Sequence, residues 1–343
     1  MRLGLSLALT RLFPVGSGGG GAAVAVSHGF GTRLSAYSWS PGFGAKYADP
    51  FPGLPGTSFD VKFSPSNADV AATHLNGSYF SVYPWGPGFG ARYAAPASAP
   101  PNVGERLQWS PSGDDIVVAT YGGAPHVFAY AWSSGFGTKY ADPSPAIGSS
   151  ARGISFSPSG ADIALGYSTP PYVSVYSWSS GFGAKYADAA APITRPCYAA
   201  AFSPSGADLL LGLNLSPYLA AYAWSGGFGT KYSDPPGGIS DEVNDCAWSL
   251  TGTEVIAAHD RAPYLTSFEW GPGFGAKYAD PSPAIPANGA RVAFSAADSS
   301  VAATYDGGIG LSAYSWSPGF GAKYADPSTP LAGLARGVDF TTA

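Results

Sequence analysis

Residues 153–188 read GISFSPSGADIALGYSTPPYVSVYSWSSGFGAKYAD, and four short strands can be parsed from them. Gly153 to Phe156 is the first, and Ser157-Pro158-Ser159-Gly160 the turn that ends it. Asp162 to Tyr167 is the second, followed by a turn at Pro170-Pro171. Tyr172 to Trp178 alternates β-branched, aromatic and small residues, the pattern of a half-buried strand. Ser179 to Gly183 reads as a glycine-containing hairpin loop, and Ala184 to Asp188 as a fourth, more polar strand.

The same unit recurs along the chain. Its Gly-Phe-Gly marker places phenylalanines at Phe43, Phe89, Phe136, Phe182, Phe228, Phe274 and Phe320, spaced by 46 residues with one interval of 47. A second marker, an aromatic followed by Ser, falls at Phe63, Trp109, Phe156, Phe202, Trp248 and Phe294, with a seventh aromatic at Phe340. Seven four-stranded antiparallel units specify an all-β, seven-bladed β-propeller. The N-terminal copy has a second strand (22–28), a third (33–39) and a fourth (44–49), but only Leu12-Phe13-Pro14 as a weak first strand. Residues 337–340 supply an orphan first strand at the far end, so the two termini are expected to share one blade. Such closure removes exposed sheet edges. The expected organisation is an N-terminal arm over 1–21 and one propeller domain over 22–343.

Composition narrows the function classes. Apolar residues make up 45% of the chain and charged residues only 11%, which excludes a disordered polymer. A net charge of −5 speaks against a nucleic-acid surface, and no apolar run is long enough to span a membrane. The first 21 residues read as an arm rather than a cleaved signal, because Arg11 follows a short apolar stretch and no A-x-A-like site appears. Cys197 and Cys246 form no metal-binding set and read as two buried free thiols, the alternative being that they meet across two neighbouring blades.

In this strand order one face, here the upper, carries the second-to-third and fourth-to-first connections. The lower face repeats Ser-Pro-Ser-Gly and Gly-Phe-Gly. The seven loop phenylalanines admit three readings: plugs folded back between blades, an exposed ring that docks a partner, or sugar-stacking platforms formed with Trp and Tyr. The Lys-Tyr-x-Asp run reads as a charged outer edge that resists edge pairing; Arg92 and Ala95 break it in blade 2, so no sevenfold catalytic carboxylate is expected.

The upper face is where copies differ. The second strands end at His28, His74, Tyr121, Tyr167, Leu213, His259 and Tyr305, read as a polar and aromatic rim whose histidines lie on separate blades and do not converge on a metal. Arg106, Arg152, Arg195, Arg291 and Arg336 enter near the first strands, against Glu105, Asp241, Glu242 and Asp245. Arginine offers a fixed fork of donors, so Arg106, Arg152, Arg291 and Arg336 are candidates for an anionic ligand; the alternative is that they serve loop carbonyls and these acids. No nucleophile elbow, phosphate loop, dinucleotide fingerprint or zinc-helix motif occurs, and neither a cofactor nor a catalytic residue is assigned.

The Ser-Pro-Ser-Gly turn and Trp-ended third strand resemble WD-repeat propellers. The residue after Trp is Ser40, Gly86 or Ser133 rather than Asp, so the His–Asp network of true WD repeats lacks its carrier. Trp178 to Tyr186, alternating with Phe156 to Gly160, is also similar to tandem-repeat propellers encoded in tailed-bacteriophage genomes. That resemblance, over nearly the whole chain, implies a virion component of a tail, fibre or capsid surface; a non-catalytic protein that contacts other virion proteins is expected, with the N-terminal arm as its candidate tether. Two alternatives stand beside it, a lectin-like propeller that binds host-surface glycan and a propeller enzyme such as a lactonase or glycosidase. A secreted or periplasmic location is the alternative to the virion.

Overall fold

A computed structural model describes residues 22–331 and 333–342; the expected arm over 1–21 lies outside them. Seven four-stranded antiparallel sheets form the blades of a propeller. Blade 4 is typical: Ala151–Phe156, Asp162–Tyr167, Val173–Trp178 and Phe182–Lys185 are its first to fourth strands. Second strands are buried along their whole length, and fourth strands are the most exposed. Blade 1 is composite. Its first strand is Ala335–Phe340, which pairs with Ala23–His28 in the register Val24↔Phe340, Ala25↔Asp339, Val26↔Val338. Thr341 extends the clasp: its amide donates to the Ala23 carbonyl at 2.9 Å, and its hydroxyl accepts from the Ala23 amide at 2.9 Å.

The fourth strand begins earlier than the sequence suggests. Phe182 is its first residue, not part of the loop, and pairs with Trp178. The two flanking glycines serve different needs. Gly181 takes φ +127, which a side chain disfavours, whereas a Cβ on Gly183 would run into the Ser177 hydroxyl. Blade 2 departs again: Pro84 stands in its third strand, and the fourth strand shrinks to Gly88–Phe89.

Blades are joined by a relay that the sequence reading lacked. In place of the His–Asp network of WD repeats, the Asp that opens the second strand accepts twice. Asp115 takes Tyr140 Oη of its own blade at 2.6 Å and Trp178 Nε1 of the next blade at 3.1 Å. Asp69 does so with Tyr93 and Trp132, and Asp162 with Tyr186 and Trp224. The Ser-Pro-Ser-Gly turn belongs to the same unit, because the Ser110 hydroxyl accepts the Asp115 amide at 3.0 Å. Burial and the adjacent carboxylate push the Tyr140 hydroxyl up to about 12, so it remains a donor. The relay fades around the ring: Glu254, Ser300 and Ala23 occupy the Asp position in blades 6, 7 and 1.

Candidate channel-mouth site

First strands face the central channel, and their residues do not repeat. The second positions are Phe59, Glu105, Arg152, Tyr198, Asn244, Ala290 and Arg336; the third are Asp60, Arg106, Gly153, Ala199, Asp245, Arg291 and Gly337. Several of these side chains lace neighbouring blades together. Asp60 accepts the Leu107 amide at 3.1 Å, Asp245 the Val292 amide at 3.0 Å, and Asp339 the Phe63 amide at 2.8 Å. Asp339 also holds Lys62 at 3.3 Å. Burial alone would lower the Lys62 ammonium, but Asp339, Asp60 and Asp245 outweigh it and raise it.

Arg106 reaches across the channel. Its guanidinium, buried and rooted in blade 3, binds Asp245 Oδ1 at 3.1 Å and the carbonyls of Asn244 at 2.5 Å and Tyr198 at 3.3 Å. This crossbar separates an upper mouth from a lower cavity of about 450 Å³, where Ala201, Ala247 and Ala293 face Lys62 and Gln108. Above it, two adjoining cavities of about 170 Å³ each share Phe59, Asn244, Arg291 and Arg336 as lining. Arg152 lies 3.6 Å from Glu105 and 4.4 Å from the Tyr198 ring centroid. Burial and the nearby Arg106 charge lower Arg291 to about 10.

The four candidate arginines therefore meet at one mouth, whereas Arg195 is exposed away from it and binds the Thr194 carbonyl. The rim expected from the second-strand ends is not there. His28, His74, His259, Tyr167 and Tyr305 are all buried, because each turns toward a hydroxyl seven residues on in the third strand. His74 Nε2 lies 2.9 Å from Ser81 Oγ, His259 Nε2 2.9 Å from Thr266 Oγ1, and His28 Nε2 3.0 Å from Ser35 Oγ. Tyr167 and Tyr305 meet Ser174 and Ser312 in the same way. Burial pushes His74 and His259 down to about 4, so both rings are neutral near pH 7. Tyr121 is exposed, but it lies one residue past the strand end, Thr120, which is the true counterpart of His74.

The loop phenylalanines are partly buried and lean chiefly on their own blade rather than plugging the gap between blades. Phe182 packs edge-on to Trp178 and Tyr176, at 5.1 and 5.7 Å between centroids. Phe43, Phe89, Phe136, Phe228, Phe274 and Phe320 repeat the contact with their own Trp. Phe136 also touches Phe80 of blade 2, at 5.1 Å. Cys197 and Cys246 are buried free thiols, and burial raises both. Among the described residues, no group of three His, Cys, Asp or Glu side chains is placed to hold a metal ion.

No family model and no curated protein matches the chain. Solved structures do share its architecture. A candidate 6-phosphogluconolactonase from Bacteroides uniformis superposes with a TM-score of 0.66 at 15% identity, over 93% of this chain and 99% of that one. The periplasmic gluconolactonase of Pseudomonas aeruginosa gives 0.68 at 13%, over 93% and 99%. A protein of unknown function from Desulfotomaculum acetoxidans gives 0.66 at 12%, over 94% and 99%. At such identities the likeness extends to the fold alone.

Proposed function

We propose that the chain is a non-catalytic binding propeller of a tailed-phage particle, presenting its upper face to a partner. One observation carries the reading: the repeated residues are consumed in building the ring, and the unrepeated ones gather at the channel wall and mouth. The Asp relay, the Trp–Phe contacts and the buried His–Ser pairs are all structural. The virion assignment rests on the sequence resemblance. Its test is mass spectrometry of purified particles combined with pull-down by the isolated protein. Absence from particles together with no captured virion protein would defeat it.

A second reading has one observation in its favour. Two structures of the same architecture bear lactonase names, and this chain has an arginine-lined mouth. A lactone hydrolase would turn over 6-phosphogluconolactone or gluconolactone, with loss of turnover in Arg336→Met. Hydrolysis no faster than the spontaneous rate would remove that reading.

A further inference from the structure

Two neighbouring guanidinium groups at the mouth are under-used. Arg291 makes one hydrogen bond, from Nη1 to the adjacent Ala290 carbonyl at 2.7 Å. Arg336 has the Phe59 ring, 5.4 Å from Cζ to centroid, and no hydrogen bond among the described residues. The Nε atoms of both are buried without a hydrogen-bond partner. Each guanidinium carries five N–H donors, so most of this capacity is unspent. Arg106 and Arg152, by contrast, already have Asp245 and Glu105.

The cavity of about 170 Å³ that Arg291 and Arg336 line has a second pole. Asp260 and Asp306 follow the second strands of blades 6 and 7, radially outside the first strands that bear the arginines. Asn244 and Asn288 also line the cavity, Phe59 supplies an apolar side, and Asp306 is exposed at its outer margin while Asp260 is half-buried. Asn244 Nδ2 donates to Asp260 Oδ1 at 2.6 Å, which fixes that carboxylate in place. Burial raises Asp260, the Asn244 hydrogen bond offsets part of that rise, and Asp241 and Asp306 add to it. No ion pair joins the two poles among the described residues.

We infer that this cavity binds a small amino-carboxylate, its carboxylate on Arg291 and Arg336 and its ammonium on Asp260 and Asp306. Paired guanidinium groups favour a carboxylate through charge-assisted hydrogen bonds, and the opposite wall rejects a simple dianion. A plain organic acid would satisfy only one wall, and a plain amine only the other. The site is independent of any protein partner on the upper face, so it stands or falls apart from the virion reading.

Calorimetric titration of the purified full chain tests this with glycine, β-alanine, 4-aminobutyrate and 6-aminohexanoate, and with butyrate and butylamine as half-ligands. At least one amino-carboxylate is expected to bind about tenfold or more tighter than either half-ligand. Arg336→Met and Asp306→Asn should each weaken that binding by about tenfold or more while leaving the thermal midpoint within about 2 °C of the parent. Butyrate binding as tightly as the best amino-carboxylate would reduce the site to an anion pocket and overturn the inference. Failure of the whole series to bind below about 10 mM would overturn it too. Should one variant melt early, the other still decides, since the two remove opposite poles.

Discussion

The outer three strands of each blade and the inner strand that faces the channel solve opposite problems. In the outer strands, one answer is reused: Asp115 with Tyr140 and Trp178 has counterparts at Asp69 and Asp162. The inner wall reuses one lacing contact, a carboxylate on the next blade's amide at Asp60 and Asp245, but its charged groupings are unique; Arg106 meets Asp245 across 139 residues of sequence, and among the described residues no other blade has such a crossbar. Repetition marks where a position serves the ring, and its failure marks where a side chain has been placed for something else. Stability should therefore concentrate in the shell, and tolerance to substitution in the wall.

The strongest test of that division is acid. His74 and His259 are held neutral by burial with values near 4, below the ordinary 6.5. The unfolded chain binds those protons first, so the contribution of the neutral rings is complete above about pH 6.5 and is lost as pH falls toward 4, by about 3 kcal/mol per histidine. Denaturant unfolding at pH 7 and pH 4 should show this, and the double change His74→Tyr and His259→Tyr should flatten the dependence, since Tyr167 and Tyr305 fill the same place. An unchanged pH slope in the double variant would remove the histidines from the account.

Asp115→Ala comes next. It strands one buried donor, Trp178 Nε1, and one half-buried donor, Tyr140 Oη, and should cost about 3 kcal/mol in equilibrium unfolding. In the wall, Arg106→Met should cost less, about 2 kcal/mol, because Asp245 keeps the Val292 amide and is itself partly exposed. A larger loss for Arg106→Met than for Asp115→Ala would reverse the contrast between wall and shell. At the outermost edge, Lys139→Ala removes an exposed pair with Asp142 and should change stability by less than about 0.5 kcal/mol.

Much of the fold is open to reading because the Gly-Phe-Gly spacing carries the blade count and the aromatic marker at Phe340, with no clear counterpart at the N-terminus, carries the shared blade. The strand start at Phe182 was hidden by its glycines, which look like loop residues on either side. The extra residue of the 47-residue copy lies in the loop after Thr120, so even spacing from the marker falls on Tyr121 where the strand ends at Thr120. The histidines read as a rim because strand ends usually reach the surface. A signal against it was present, since a hydroxyl follows seven residues after each: Ser35, Ser81 and Thr266. The four arginines were visible as a group. Phe59, Asn244, Asp260 and Asp306 as their neighbours were not, because strands far apart in sequence meet only when the ring closes.

The clasp of Ala335–Phe340 against Ala23–His28 also sets the order in which the protein can be made. During synthesis from the N-terminus, residues 23–46 leave the ribosome long before their sheet partner exists. Blades 2 to 7 have all their strands in local sequence and can assemble as they emerge, whereas blade 1 must wait for Ala335–Phe340. Until then Ala23–His28 carries an unpaired strand edge that can pair with foreign strands, and the first strand of blade 7 lacks the neighbour it packs against. A product that stops short of Ala335 would thus hold six complete blades yet leave the edge of Ala23–His28 open.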